Sequence, residues 1–166
     1  MASTMTRLVA PLALGALLCV AAPLAARDSL GVYGGWAAFR DASPARCYAI
    51  AKARGSPPAP AYATVSNWPE KNVRGAVHFV LSREVTGSVR LAVGGKRFTL
   101  VAKGRNAWAK DTRDDATIIA ALRSAAQMSV SAEGAKGGTF TDRYALTGAA
   151  TAIDAATVGC AQRRRF

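Results

Sequence analysis

His78, the glutamates Glu70, Glu84 and Glu133, the aspartates Asp111, Asp114 and Asp115, and the cysteines Cys47 and Cys160 are the side chains here whose types could do chemistry. Nucleophilic catalysis needs a serine or cysteine activated by a neighbouring base, and no serine or cysteine of this chain stands in a recognisable nucleophile motif. His78 is the single histidine. It alternates with Val77 and Phe79, so burying the Phe79 face turns it to the opposite face as a surface or hydrogen-bonded residue. Hydrolysis of a polymer by paired carboxylates needs two acids flanking one bond, and no spacing pairs a glutamate with an aspartate here. A metal centre lacks ligands: one histidine, two cysteines expected to be oxidised, and aspartates that read as a helix start. The run Asp111-Thr112-Arg113-Asp114-Asp115 imitates a calcium loop but has neither its glycine nor its distal glutamate. Gly94-Gly95 and Gly137-Gly138 are turns, because no Lys-Ser/Thr follows to make a phosphate loop. Catalytic residues, metal and cofactor are all expected to be absent. Of Trp36, Trp68 and Trp108, at least two are expected in the core, with Trp68, followed by Pro69 in a loop, as the candidate exposed aromatic.

Short strands between glycine and proline turns must position these side chains. Strands are expected at residues 36–39, 46–51 and 62–66, and again around Val77, Phe79 and Leu81. The clearest signal is a hairpin, Val89-Arg90-Leu91-Ala92-Val93 and Arg97-Phe98-Thr99-Leu100 joined at Gly94-Gly95, where both glycines tolerate the positive φ of a tight turn. A short strand or strand end follows at residues 106–110. A helix then begins, capped by Asp111 or Thr112, with Asp114 and Asp115 in its first turn and Ile118, Ile119 and Leu122 as its apolar stripe. Two more strands, at residues 127–132 and 139–146, precede an alanine-rich helix that carries Cys160. This order predicts a β-rich α+β domain: an antiparallel β-sandwich or open barrel with two peripheral helices and one disulfide. Most expected runs span five to seven residues, shorter than the roughly 9 to 11 of a membrane-spanning strand.

Residues 1–26 set the compartment. Arg7 is basic, residues 8–24 are uncharged and apolar, and Ala25-Ala26 closes the segment with small residues. That is the pattern of a secretory signal peptide, with cleavage expected after Ala26. Pro11, Gly15 and Pro23 interrupt a run too short for a transmembrane anchor, and no span is expected after cleavage. Residues 27–166 then form a single domain. Cys19 leaves with the leader, so Cys47 and Cys160 remain as an even pair in an oxidising compartment, where one intramolecular bridge is the expectation and two free buried thiols the alternative. The leader holds one basic residue and no acid, which leaves 21 basic against 10 acidic residues, a net charge of +11. Charge of that sign favours anionic partners. Its residues are scattered except for Arg163, Arg164 and Arg165, the candidate anionic-partner contact.

Several landmarks share one order: Gly34-Gly35-Trp36-Ala37, Arg46-Cys47-Tyr48-Ala49, Ala107-Trp108-Ala109, Ala120-Ala121-Leu122-Arg123, Thr141-Asp142-Arg143-Tyr144-Ala145-Leu146-Thr147-Gly148, and a cysteine near the end. Behind a signal peptide, they make the chain resemble the invasion-associated locus B family of small exported bacterial proteins. The resemblance spans almost all of residues 27–166 except the middle, residues 52–90. It implies a Gram-negative protein of the periplasm or cell surface, in a family associated in some pathogens with invasion of host cells. It carries over no catalytic residue.

Export, a stapled β core, net positive charge and a missing catalytic constellation give one expectation: a non-enzymatic interaction protein. Its partner would be an anionic envelope lipid or polysaccharide, or a host-surface or envelope protein. A hydrolase acting on an envelope polymer is the alternative. Nucleic acid is not an expected partner, because export makes the encounter uncommon and basic residues do not interleave with aromatics along the chain.

Overall fold

Val89, Leu91 and Val93 alternate with polar or small neighbours, and Gly94 (φ 49°) and Gly95 (φ 87°) supply the turn that returns the chain as the next strand. The same logic runs through the computed structural model, which describes residues 27–161. The expected signal peptide, residues 1–26, and Arg163, Arg164 and Arg165 lie outside the described residues. In order, the elements are β1 (Arg27–Tyr33), β2 (Trp36–Asp41), β3 (Arg46–Lys52), β4 (Tyr62–Trp68), β5 (Val73–Val85), β6 (Val89–Val93), β7 (Lys96–Trp108), α1 (Thr112–Ser124), β8 (Gln127–Glu133), β9 (Thr139–Ala145) and α2 (Ala149–Ala161). All nine strands pair antiparallel in one sheet ordered β1-β2-β3-β4-β5-β7-β6-β8-β9. The sheet curls into a half-barrel, so the fold is the open barrel of the two β architectures expected.

Bending happens where the two long strands cross. The β5–β7 register is regular from His78–Trp108 to Val80–Asn106, then slips before Val85–Gly104. Gly104, at φ 58°, accommodates the irregularity. Arg105 occupies the gap, donating from Nε to the Leu81 carbonyl at 2.7 Å and from Nη2 to the Pro60 carbonyl at 2.6 Å. Both β5 and β7 are 13 residues long. The expected separate strand at residues 106–110 is therefore the end of β7, and β1 is a strand that the expected set did not include.

The curl brings β9 over β2 and β5. Trp36 Nε1 donates to the Ala145 carbonyl at 2.9 Å, and the Ser82 amide donates to buried Asp142 at 2.9 Å. The Phe79 and Tyr144 rings pack at 6.3 Å between centroids. Tyr144 is fully buried, its hydroxyl has no partner among the described residues, and burial pushes its phenol upward. On the open side α2 packs on β1–β4 through a face of small residues, Ala149, Ala152, Ala156 and Gly159, that permits close approach. Cys160, on the same helix, is bonded to Cys47 of β3 with Cα atoms 5.7 Å apart. The terminal helix is thus stapled to the sheet's inner face.

The aspartates behave as helix-start residues. Asp111 caps α1, accepting from the Asp114 amide at 2.8 Å, and that bond holds its carboxyl below the usual range. Asp115 reaches back to the sheet and accepts from the Val77 amide at 2.8 Å, just beyond the end of the β5–β7 pairing. Burial raises the Asp115 carboxyl above its ordinary value. A raised carboxyl means the folded state binds its proton more tightly, so this group's contribution to stability falls as pH rises from the ordinary to the raised value. Asp111, lowered, acts oppositely: its contribution is present above the ordinary value and is lost as pH falls through the lowered one. Asp115→Asn keeps an acceptor for Val77 without the buried charge, and should be at least as stable as the parent near neutrality, with the advantage shrinking in acid. Asp115→Ala strands the Val77 N–H and should cost about 1–3 kcal/mol. Urea midpoints across an acid-to-neutral series check both; a D115N deficit that grows toward neutrality would contradict the assignment.

Candidate functional site

Side chains on the outer face of β1–β4 form a ladder of cations and aromatic rings. Strand register builds it. Arg27 pairs with Asp41, and Asp41 with Arg46, across β1, β2 and β3; one step along, Phe39 lies opposite Tyr48. Trp68 ends β4, and the 3-10 turn Pro69–Lys71 folds Lys71 back beside it. The Phe39 and Tyr48 centroids are 5.8 Å apart. Arg27 sits 5.8 Å from the Phe39 centroid and 5.9 Å from that of Tyr48. Arg46 lies 4.0 Å over Tyr48 and 5.1 Å from Trp68, whose other neighbour, Lys71 Nζ, is 5.0 Å away.

Every one of these separations is within the roughly 6 Å at which a ring face attracts a cation, worth about 0.5–1 kcal/mol at an exposed site and more when dry. Asp41 anchors two of the cations, accepting from Arg27 Nε at 3.1 Å and from Arg46 Nη2 at 2.9 Å. The hydrogen bond to Asp41, assisted by nearby Tyr48, raises the Arg27 guanidinium further, so it stays charged. One carboxylate balances two arginines, and Lys71 has no acidic partner among the described residues, so the ladder carries excess positive charge. Arg27 remains largely exposed, at 60% of its side chain. Tyr48 is buried beneath the arginines while Phe39 and Trp68 are half-buried, so the face offers N–H donors beside partly exposed ring edges, a combination suited to an anionic group attached to something apolar.

Trp68 is half-buried and central to the ladder. Trp108 is also half-buried; Trp36 alone of the three is fully buried, so only one tryptophan lies in the core where at least two were expected. His78 hydrogen-bonds through Nε2 to Asn106 at 3.0 Å. Glu84 and Glu133 flank the Val85–Gly134 bridge, whereas Glu70 lies in the turn after β4, so the fold does not gather the three glutamates. Five cavities on the described surface are lined by no aspartate or glutamate. Among the described residues, no three His, Cys, Asp or Glu side chains lie together as a metal site, and no helix is long and apolar enough to cross a membrane.

Sequence reasoning missed Arg27, Phe39, Arg46, Tyr48 and Lys71 as a group, although the spacings Arg46-x-Tyr48 and Trp68-x-x-Lys71 were a partial signal. Basic and aromatic residues do interleave here, across strands rather than along the chain. No family model, curated protein or solved structure matches the chain.

Proposed function

We propose that the chain is an exported, non-enzymatic interaction protein of a Gram-negative envelope, similar to the invasion-associated locus B proteins, and that the outer face of β1–β4 contacts an anionic envelope lipid. The observation that carries the reading is the ladder Arg27–Phe39–Tyr48–Arg46–Trp68–Lys71. A disulfide across the domain and the net positive charge support work outside the cytoplasm against an acidic surface. Arg163, Arg164 and Arg165 would add charge to the same encounter.

Sedimentation of residues 27–166 with vesicles tests this. Phosphatidylglycerol-containing vesicles should bind the protein at low salt and lose it as salt rises, since screening shortens from about 10 Å at 0.1 M to about 3 Å at 1 M. Trp68→Ala combined with Lys71→Gln should weaken binding about tenfold, the loss expected from a cation–ring pair and one charge at a lipid surface. Equal binding to purely phosphatidylcholine vesicles, or binding indifferent to salt and to this double variant, would contradict the proposal.

A further inference from the structure

On the inner side, below the turn that carries Lys71, two adjoining cavities run between α1, α2 and the facing ends of β4 and β5. The larger is ≈ 380 Å³ and the smaller ≈ 110 Å³; Asn67, Arg74 and Thr157 line both. The larger falls within the roughly 300–1,000 Å³ usual for small-molecule sites. Val65, Ile119 and Ile153 give it an apolar lining, and the small side chains of Ala116 and Ala120 on α1 keep it open. Gly75 on its floor is at φ 69°, and a Cβ there would stand 2.7 Å from the Ile119 Cδ1, so the strand is bare of side chain where the helix comes closest.

The polar side chains of the larger cavity are Asn67, Arg74, Thr112, Arg123 and Thr157, the last donating to the Ile153 carbonyl of its own helix. Arg74 has no ion-pair partner among the described residues. Asn67 is only 7% exposed; its Oδ1 accepts from the Gly75 amide at 3.1 Å, and its amide nitrogen has no partner among the described residues. Arg123 at the rim is paired with Asp154 and adds no free charge. With no carboxylate in either lining, the exposed Arg74 guanidinium and the solvent-accessible Asn67 amide nitrogen lie beside the apolar side chains of the trough. An unneutralised cation beside apolar surface is complementary to an anionic head on an apolar tail, and a charge-assisted bond to arginine is the stronger kind.

We infer that this groove binds a single-chain fatty acid, its carboxylate held by Arg74 and Asn67 and its chain laid between Val65, Ile119 and Ile153. The site stands apart from the outer ladder and does not depend on the reading given to it. Calorimetric titration of disulfide-intact residues 27–166 with laurate, kept below its micelle concentration, tests it. Laurate should bind at one site per chain. Dodecanol, with the same chain and no charge, should bind at least about tenfold more weakly, as should laurate to Arg74→Gln, the loss expected when a hydrogen bond to a charged group is removed. Ala120→Phe, at an exposed position on α1, should fill the trough and abolish binding while leaving the circular dichroism of the domain unchanged; Ala116→Phe is the second filling variant. The Trp68→Ala and Lys71→Gln pair should bind laurate as the parent does. No laurate binding, equal affinity for dodecanol, or binding unchanged in R74Q and both filling variants would overturn the inference.

Discussion

Replacing Cys47 and Cys160 together by alanine should lower unfolding stability by about 2–5 kcal/mol. The two cysteines are 113 residues apart in sequence, so the bridge closes a loop nearly the size of the domain. Loop-closure entropy for such a length reaches about 4.7 kcal/mol, an upper figure because denatured chains keep some compactness. Small domains are stable by about 5–15 kcal/mol, so the loss is a large fraction of the whole. Its structural consequence is specific. Cys160 ends the helix that covers the inner face of β1–β4, and without the bond that helix is retained by Ile153, a row of alanines and the exposed Arg123–Asp154 pair. Denaturant titration of the double variant, beside the parent with and without reductant, checks this. Reduced parent and variant should coincide, and a reduced parent as stable as the oxidised one would contradict it.

Gly148→Ala should be comparably severe, at about 2–6 kcal/mol. Gly148 sits at φ 86° just before α2, and a Cβ built there lies 1.8 Å from the Tyr33 carbonyl oxygen and 2.4 Å from its carbon. Both obstacles are main chain, so no rotamer change relieves them. Left-handed strain contributes about 1–3 kcal/mol, and overpacking a similar amount. The contact is where the β1–β2 turn rests on the start of α2: Gly35 N–H donates to the Thr147 carbonyl at 3.3 Å from the same turn. Gly35→Ala is the control, since nothing lies within 4 Å of its Cβ direction and its φ is ordinary, so it should change stability by no more than about 0.5 kcal/mol. Similar urea midpoints for G148A and G35A would show that the turn does not clamp the helix.

Features that depend on neighbours in sequence were legible from it. Gly94-Gly95 specified its hairpin and the pair Asp111-Thr112 the start of α1, with Asp111 the residue that caps it, through chemistry confined to a few residues. The pairing of Cys47 with Cys160 followed from the two cysteines that remain once Cys19 is set aside with the expected leader. The long strands were harder to see, because Gly75 and Gly104 look like breaks, and the arginine that bridges the β5–β7 irregularity looks like one more surface charge. The landmark stretch at residues 141–148 stood out as a pattern, but its meaning lies in tertiary contacts: Asp142 meets Ser82, the Ala145 carbonyl meets Trp36, and the Thr147 carbonyl meets Gly35. Those residues close the curl. The ladder was invisible for the same reason in reverse, since Arg27, Phe39, Arg46 and Trp68 become neighbours only after four strands adopt one register.

The proposed export joins the staple to the expected leader and the proposed envelope-facing role, and one mass measurement on protein recovered from the cells that make it tests all three. After alkylation without reductant, the chain should begin at Arg27, lie in the envelope or outside fraction, and be two hydrogens lighter than its reduced form with no alkyl group on Cys47 or Cys160. A full-length chain in the cytosol, with both of those cysteines alkylated, would contradict it.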